Sequence, residues 1–365
     1  MATSTARRTR LDPAVFQLPV GRLRDGWYSD AYFTNTKALL EAEEHHPRVL
    51  MQVFQKQESI LGGIDEAIAI LKLGSGRAAA DGTWIPGFAD LEVRALYEGD
   101  AIRPREAVLT IEGDYALFAH LETVYLGCLA RRSLVMRNVH AVVQAARGKP
   151  ILFFPARHDH WLVQTGDGWA AHVAGAIGVS TDAQASWWGG RGVGTVPHAL
   201  IAAFGGDTVA AARAFARRYA HEMNVTVLVD FENHSARTAV EVADALGADL
   251  WGVRLDTSES LADETLADLG ADAPRGVNIE LARRVRAALD DAGHQRVKIV
   301  ASGGFDVAKI TRFEDEGAPV DSYGVGSSLV RGANDFTADI VRVDGRPCAK
   351  IGRGERPNPR LERVP

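Results

Sequence analysis

Short apolar segments recur through the second half of the chain, and they constrain its fold more than any other sequence feature. Helix-length amphipathic stretches such as residues 236–248 separate several of them. Consecutive parallel strands need a connection of helical length, so this alternation predicts parallel βα units. The seven predicted strands are Ile151–Phe154, Ala176–Val179, Gly192–Val196, Thr226–Val229, Leu250–Leu255, Val297–Ala301 and Ser322–Val325.

Seven strands are one fewer than a standard parallel barrel contains, so either one strand escapes the pattern or the barrel is irregular. We therefore predict an α/β fold with an irregular seven-stranded parallel α/β barrel over residues 136–332, which carries the active site. The first half differs, because the β-forming stretch Arg48–Phe54 precedes the helix-like residues 64–74, and a long helical pattern follows from Tyr115. This order predicts an N-terminal α+β sandwich domain over residues 1–135.

Charge and cysteine content exclude several classes of protein. The 41 Lys+Arg and 47 Asp+Glu residues give a net charge of -6, which argues against a nucleic-acid partner. Two distant cysteines, Cys128 and Cys348, predict neither a disulfide framework nor a zinc module. No apolar run suits a membrane span or a secretory signal, so we expect a cytoplasmic protein without a membrane partner. The basic, Ser/Thr-rich residues 1–10 predict a short disordered tail.

Cations and carboxylates follow several predicted strands directly. Arg157 and His158 follow the first strand, Asp230 follows Thr226–Val229, and Asp256 follows Leu250–Leu255, which contains Arg254. Taken singly, each could form a loop ion pair or a helix cap. Because the ends of parallel strands meet at one face of a barrel, their recurrence indicates a shared site.

Two late strands end in glycine-rich loops. Glycine allows close backbone approach to a ligand, and a following helix N-terminus favours an anion, so the pair predicts a phosphate site. Tight turns without a ligand are the alternative. The loops are Ser302-Gly303-Gly304 and Gly324-Val325-Gly326-Ser327-Ser328.

One histidine follows a third glycine-rich segment. Thr195 lies in that segment and His198 comes just after it, where a histidine could act as a nucleophile or proton carrier or could be structural. The pair His158 and His160 lacks a third ligand at a characteristic spacing, so we predict no metal site in the protein itself.

Several ordered motifs together resemble the nicotinate phosphoribosyltransferases, of the type II phosphoribosyltransferase fold. They include VFQKQESILGGIDEAI, EGDAIRPREAVLTIEGDYALFAHLET, GVGTVPHAL, TVLVDFENH, GVRLDTSES, VASGGFDVAKI and YGVGSSLV. The resemblance implies transfer of phosphoribosyl from 5-phosphoribosyl 1-diphosphate to the ring nitrogen of nicotinate, giving nicotinate mononucleotide for NAD biosynthesis. It also implies Mg²⁺, ATP as co-substrate, and a C-terminal segment, 333–365, that returns to the N-terminal domain.

The resemblance implies a role for each matching residue. Arg254 would bind the nicotinate carboxylate, Phe154 would stack on the pyridine, and Asp256 would bind the ribose. Asp230 would help to organise ribose, diphosphate or Mg²⁺, and His198 would be phosphorylated by ATP. Residues facing the diphosphate, cradling the 5-phosphate or lining the substrate site would be Arg157, His158, Ser302, Gly303, Gly304, Gly324, Gly326, Ser327 and Thr195. The family also implies a homodimer or higher homo-oligomer in which Tyr28 or Tyr32 closes a neighbour's pocket.

Two departures from the family pattern keep alternatives open. His158 stands where relatives have a second arginine, which could alter diphosphate affinity. Asp182 lies near the position of an acid in nicotinamide-using relatives, where it could accept a hydrogen bond from an amide or could cap a helix. Nicotinamide or another pyridine is therefore an alternative acceptor, and a non-catalytic nucleotide-binding relative is a third possibility.

Overall fold

A computed structural model of the protein describes residues 8–365, and within them the chain divides into two compact units. One unit comprises the described residues up to Arg137 together with Gly332–Pro365, and the other comprises Asn138–Arg331. Each unit contains a six-stranded sheet. The long helix Glu122–Ala145 includes the residues at which the chain passes from one unit to the other.

We number the strands and α-helices of residues 8–365 in chain order. The strands are β1 Arg48–Phe54, β2 Ser59–Ile60, β3 Gly76–Ala78, β4 Trp84–Pro86, β5 Glu92–Ala95, β6 Ala101–Ile102, β7 Ala107–Asp114, β8 Ile151–Phe153, β9 Gly178–Val179, β10 Val225–Leu228, β11 Leu250–Leu255, β12 Lys298–Ala301, β13 Ser322–Val325, β14 Thr337–Val343, β15 Arg346–Pro347 and β16 Glu362–Arg363. The helices are α1 Val20–Arg24, α2 Ala31–Ala42, α3 Ile64–Gly74, α4 Glu122–Ala145, α5 Gln164–Val173, α6 Asp182–Ala185, α7 His198–Ala203, α8 Thr208–Tyr219, α9 Ser235–Leu246, α10 Ile279–Asp291 and α11 Val307–Asp315. None of these helices is both long and apolar enough to cross a membrane.

The sheet of the first unit is antiparallel, with the strand order β15-β14-β1-β7-β5-β16. β1 pairs with β7 on one side and with β14, from the C-terminal segment, on the other. Apolar side chains of β1 and α3 share one buried cluster, which includes Val53, Ile64, Ile68 and Leu71. Removing this apolar surface from water is the main term that stabilises the unit.

Two arginines hold the start of the described chain against the first unit. Arg10 Nη1 donates to Asp65 Oδ1 at 2.8 Å, and its guanidinium carbon lies 4.1 Å from the centre of the Tyr97 ring. Arg8 forms an ion pair with Asp100. The tail that composition predicts as disordered is therefore docked over residues 8–10, while residues 1–7 lie outside the described part of the chain.

The sheet of the second unit is parallel, with the strand order β10-β11-β12-β13-β8-β9. Helices α9, α10 and α11 connect β10, β11, β12 and β13 in turn. Each helix turns an apolar face inward, and in α10 this face includes Ile279, Ala282, Val285 and Leu289. The prediction of parallel βα units in a mixed α/β fold is confirmed.

The predicted strand Gly192–Val196 is not confirmed as a regular strand, so residues 8–365 contain six strands in the parallel sheet and not seven. Its amides still reach both edges of the sheet. Val193 N–H donates to Val179 O at 2.7 Å, and Val196 N–H donates to Thr226 O at 2.8 Å. Two glycines in this segment weaken a strand, and Pro197 has no N–H to continue the pairing. The sheet curls, because one short segment is bonded to both edge strands.

We predict that Gly168→Ala destabilises the second unit. An alanine Cβ at this position in α5 would meet the carbonyl oxygen of Gln184 and would lie 2.5 Å from its Cα, both of which belong to the backbone. Such overpacking costs about 1 to 3 kcal/mol. The measurement is the free energy of unfolding in urea.

Gly127→Ala is the matched control, because Gly127 lies inside α4 with no atom within 4 Å of the added Cβ. This substitution should raise the free energy of unfolding by about 0.5 to 1 kcal/mol through helix propensity. Equal effects at the two positions would contradict the packing explanation.

Candidate active site

The carboxyl ends of the parallel strands bring most of the predicted site residues to one edge of the sheet in the second unit. Phe154 follows β8, Asp230 lies two residues beyond β10, and Arg254 and Asp256 lie at the end of β11. Ser302 follows β12, and Gly326 follows β13. This is the edge at which ligands bind in parallel sheets.

Arg254 is the centre of a hydrogen-bond network that joins the ends of β11 and β12 to the segment 192–196. Its Nε donates to Ser302 Oγ at 2.7 Å, its Nη2 to Asp256 Oδ2 at 3.2 Å, and its Nη1 to Thr195 Oγ1 at 3.4 Å. Ser302 is buried, and its hydroxyl also lies 2.8 Å from Asp256 Oδ1. The network holds the guanidinium in one orientation while using three of its five N–H groups. The remaining donors could bind an anionic group such as a carboxylate.

An aromatic ring lies beside this cation. The guanidinium carbon of Arg254 is 5.1 Å from the centre of the Phe154 ring, and Phe154 N–H donates to Val325 O at 2.8 Å. A Cβ on Gly324 would lie 2.6 Å from Phe154 Cε2, so only glycine leaves room for the ring against β13. A flat ring and a fixed cation together suit a planar aromatic acid.

His198 begins α7 and is held by Asp230. Its Nε2 is 3.0 Å from Asp230 Oδ1, and the Asp230 side chain is only 7% exposed. This hydrogen bond raises the pKa of His198, with further support from the negative charges of Asp230 and Asp256 and opposition from burial and Arg254. In the neutral form, an N–H at Nε2 directed to the carboxylate leaves the lone pair on Nδ1. The pair could therefore provide a nucleophilic nitrogen.

The two glycine-rich loops present free backbone amides. Gly303 and Gly304 have φ values of +86° and +66°, which an L side chain rarely adopts. Their amides, like that of Gly326, donate to no acceptor within residues 8–365. Ser328 Oγ donates to Phe305 O at 2.8 Å and so ties the two loops together. Amides in this arrangement can bind a phosphate.

Arg157, His158 and Arg331 lie beside the second of these loops and form what we call the cationic corner. The His158 ring packs on Gly326, where an added Cβ would lie 3.0 Å from His158 Cε1. Partial burial, then the positive charges of Arg157 and Arg331, lower the pKa of His158. Sequence reasoning named Arg157 and His158 but missed Arg331, because this arginine lies beyond the motif and reaches the corner only through the fold.

Lys309 is a second residue that sequence reasoning missed. Its Nζ donates to Gly303 O at 2.9 Å, from the first turn of α11. A lysine in the first turn of a helix opposes the helix dipole, and this unusual position is a signal that the sequence already contains.

Three predicted residues stand apart from the Arg254 network. Asp182 begins α6 but does not cap it, since Thr181 does, and its Oδ1 accepts the Gly192 N–H at 2.8 Å. It thus anchors the segment that carries Thr195. Ser327 begins a short 3-10 turn, Ser327–Val330. Tyr32 lies exposed on α2 in the first unit, where its hydroxyl is 3.4 Å from Asp30 Oδ2.

No group of three or more His, Cys, Asp or Glu side chains within residues 8–365 is arranged to hold a metal ion. His160 instead caps the following 3-10 turn, where its Nδ1 accepts the Leu162 N–H at 3.3 Å.

Comparison with known sequences gives one family match and several curated relatives. Residues 30–133 match the family described as "Quinolinate phosphoribosyl transferase, N-terminal domain". Nicotinate phosphoribosyltransferase pncB1 of Mycobacterium tuberculosis is 34% identical over 268 residues, which cover 71% of this chain and 55% of the relative. The pncB2 enzyme of that organism is 31% identical over 278 residues, which cover 72% of this chain and 54% of the relative. The chain therefore spans about half the length of these curated relatives.

Comparison with solved structures gives the same fold. The crystal structure of nicotinate-nucleotide pyrophosphorylase from Pyrococcus furiosus has a TM-score of 0.79 and 32% identity, and the match covers 100% of this chain and 86% of that one. The crystal structure of human nicotinic acid phosphoribosyltransferase has a TM-score of 0.65 at 18% identity, and the match covers 90% of this chain and 77% of the human chain. The human protein therefore supports the fold alone.

We predict that Asp230→Asn lowers the pKa of His198, because the substitution removes the hydrogen-bonded negative charge that raises it. In the native protein, the protonated imidazole contributes stability that is fully present below the unfolded-state pKa of about 6.5 and is lost as the pH rises through the higher folded pKa. The measurement is an NMR titration of the His198 Cε1 proton.

Asp244→Asn is the control variant, because Asp244 pairs with His294 at 2.7 Å and not with His198. It should leave the His198 titration unchanged. An unchanged His198 titration in Asp230→Asn would show that the carboxylate does not control this imidazole.

Proposed function

Because the chain belongs to the nicotinate phosphoribosyltransferase family, we propose that it transfers phosphoribosyl from 5-phosphoribosyl 1-diphosphate to the ring nitrogen of nicotinate. The products are nicotinate mononucleotide and diphosphate, within NAD biosynthesis. The observation that carries the proposal is the Arg254 guanidinium, which Ser302 and Asp256 hold beside the Phe154 ring.

The acceptor binds between the ring and the cation. Phe154 stacks on the pyridine, and the N–H groups of Arg254 that the network leaves free bind the nicotinate carboxylate. Nicotinamide has no negative charge for Arg254 to bind. Asp182, on which the nicotinamide alternative rests, already accepts the Gly192 N–H, and this favours nicotinate.

The donor binds across the glycine-rich loops and the cationic corner. The free amides of Gly303, Gly304 and Gly326 bind the 5-phosphate, and Asp256 accepts hydrogen bonds from the ribose hydroxyls. The diphosphate lies toward the corner of Arg157, His158 and Arg331. Mg²⁺ prefers phosphate and water ligands, so it would be held through the diphosphate of the substrate, where it would offset negative charge on the leaving group.

The reaction breaks the bond between C1 of the ribose and the diphosphate oxygen while the bond from C1 to the pyridine nitrogen forms. Positive charge develops on the ribose in the transition state, and negative charge on the leaving diphosphate. The cationic corner stabilises the leaving group, and the pair of Phe154 and Arg254 holds the nitrogen in line. A non-catalytic relative would not need this preorganisation, which disfavours that alternative.

ATP is a co-substrate in the same proposal. The Nδ1 of His198 attacks the γ-phosphate of ATP, forming a P–N bond as the bond to ADP breaks. Asp230 supports this step by holding Nε2 at 3.0 Å and stabilising the positive charge on the ring.

Self-association, location and barrel closure complete the proposal. The protein is a homodimer or higher homo-oligomer with shared sites, in which exposed Tyr28 or Tyr32 closes a neighbour's pocket.

The proposed location is the cytoplasm. The free thiols of Cys128 and Cys348 suit a reducing compartment. Residues 192–196 act as an irregular seventh strand that closes the barrel. This is supported by the hydrogen bonds that the Val193 and Val196 amides donate to the two edge strands.

We predict that the protein converts nicotinate, Mg²⁺ and 5-phosphoribosyl 1-diphosphate to nicotinate mononucleotide, identified by mass, and that Arg254→Gln removes most of this activity. Removing one partner of a buried charged pair costs about 2 kcal/mol or more, roughly thirtyfold in kcat/KM. The loss should be larger for nicotinate than for nicotinamide.

Arg213→Gln is the control, because Arg213 is exposed on α8. Product from nicotinamide alone would move the assignment to the alternative acceptor. Absence of product from either pyridine would refute the proposed transfer.

We predict that ATP labelled in the γ-phosphate gives an acid-labile protein label that His198→Ala abolishes, because His198 supplies the attacking nitrogen. His221→Ala, at an exposed histidine, should keep the label. Stoichiometric labelling of His198→Ala would exclude this role for His198.

A further inference from the structure

Lys309 lies against the first glycine-rich loop without an ion pair. Within residues 8–365 no carboxylate oxygen lies within 4.0 Å of its Nζ, which instead donates to Gly303 O at 2.9 Å and lies 4.5 Å from the centre of the Phe305 ring. Burial lowers the pKa of Lys309, while the charges of Glu259 and Asp306 oppose that change. Removing an ammonium group from water is unfavourable. The position of Lys309, with Gly303 O as the close partner of its Nζ, therefore calls for an explanation.

The hydrogen bond orients one particular peptide group. The carbonyl of Gly303 and the amide of Gly304 belong to the same planar trans peptide, in which C=O and N–H point in opposite directions. Because Lys309 holds the carbonyl on the helix side, the Gly304 N–H points away from α11. That amide has no acceptor within residues 8–365.

The backbone at this loop does not hold that orientation by itself. Two consecutive glycines with positive φ have a wide range of accessible conformations, so the peptide between them could rotate. Asp306 caps α11 by accepting the Lys309 N–H at 2.8 Å, which fixes the first turn from which the side chain reaches back. Lys309 thus links a rigid helix to a peptide that is otherwise free to rotate.

An acidic neighbour makes the lysine charge important as well. A Cβ on Gly304 would lie 3.0 Å from the Glu259 carboxyl carbon, so a negative charge stands close to the loop. A phosphate bound there would be repelled by Glu259. The partly buried ammonium of Lys309 offsets this repulsion more strongly than a fully exposed cation could, because it is less screened by solvent.

We infer that Lys309 is a positioning residue, which turns the Gly304 amide toward the 5-phosphate of the substrate and offsets the charge of Glu259. This inference rests on the proposed function for the identity of the phosphate. It assigns a role to a residue outside the Arg254 network and the His198–Asp230 pair.

The test compares Lys309→Met and Lys309→Arg with the native protein, using two probes in calorimetry. Ribose 5-phosphate reports on the phosphate loop, and inorganic diphosphate reports on the cationic corner. We expect Lys309→Met to weaken ribose 5-phosphate binding about ten- to hundredfold, as for loss of a charge-assisted hydrogen bond, and to leave diphosphate binding unchanged. Lys309→Arg should restore most of the affinity.

A second readout follows the amide itself. In protein labelled with ¹⁵N-glycine, ribose 5-phosphate should shift the Gly304 amide proton in the native protein and in Lys309→Arg but not in Lys309→Met. Lys298→Met is the control, because Lys298 is an exposed lysine of the same unit that pairs with Asp321. The thermal midpoints of Lys309→Met and Lys298→Met should agree, which separates positioning from loss of fold.

Several results would overturn the inference. They are an unchanged affinity of Lys309→Met for ribose 5-phosphate, an equal loss for both probes, or a Gly304 shift that survives in Lys309→Met. Native protein that does not bind ribose 5-phosphate would also overturn it. Failure of the proposed function gives a different pattern, in which the native protein binds both probes but forms no nucleotide from either pyridine.

Discussion

The hydrogen bond from Arg254 Nε to Ser302 Oγ, at 2.7 Å, organises the candidate site. It joins β11 to the loop that follows β12, and the same hydroxyl lies 2.8 Å from Asp256 Oδ1. One buried serine thus orients the cation and the carboxylate together. Because a guanidinium and a carboxylate that are already in place need not be ordered again when a ligand binds, more of the interaction energy is available for binding.

Two kinds of anion-binding group lie at the ends of neighbouring strands. Arg254 is a fixed cation beside an aromatic ring, which suits a flat carboxylate. The loops of Gly303 and Gly326 offer backbone amides, which suit a phosphate and give little preference for the group attached to it. Placing the two kinds of site on neighbouring strands allows one ligand to be held at its ring and another at its phosphate, with reacting atoms between them.

Sequence reasoning predicted the fold class well because the βα alternation expresses local physics. Strand-length apolar segments and the apolar faces of helices such as α10 are both readable from periodicity. The stretch Gly192–Val196 shows the limit, since it counts among the recurring short apolar segments that predict strands, while its glycines and Pro197 reduce regular pairing to single bonds at each edge. Disorder predicted for the first ten residues was wrong for Arg8 and Arg10, whose partners, Asp100 and Asp65, lie far along the chain.

The sequence by itself determined which residues end the parallel strands, and hence that Arg254, Asp256 and Ser302 lie at one edge of the sheet. This follows because parallel strands joined by helices must all present the same end. Only the tertiary structure decided that Asp182 bonds to Gly192, that Arg331 lies near His158, and that Lys309 holds Gly303 O. Those contacts depend on how side chains and loops pack across elements distant in sequence, and no local pattern of residues specifies that packing.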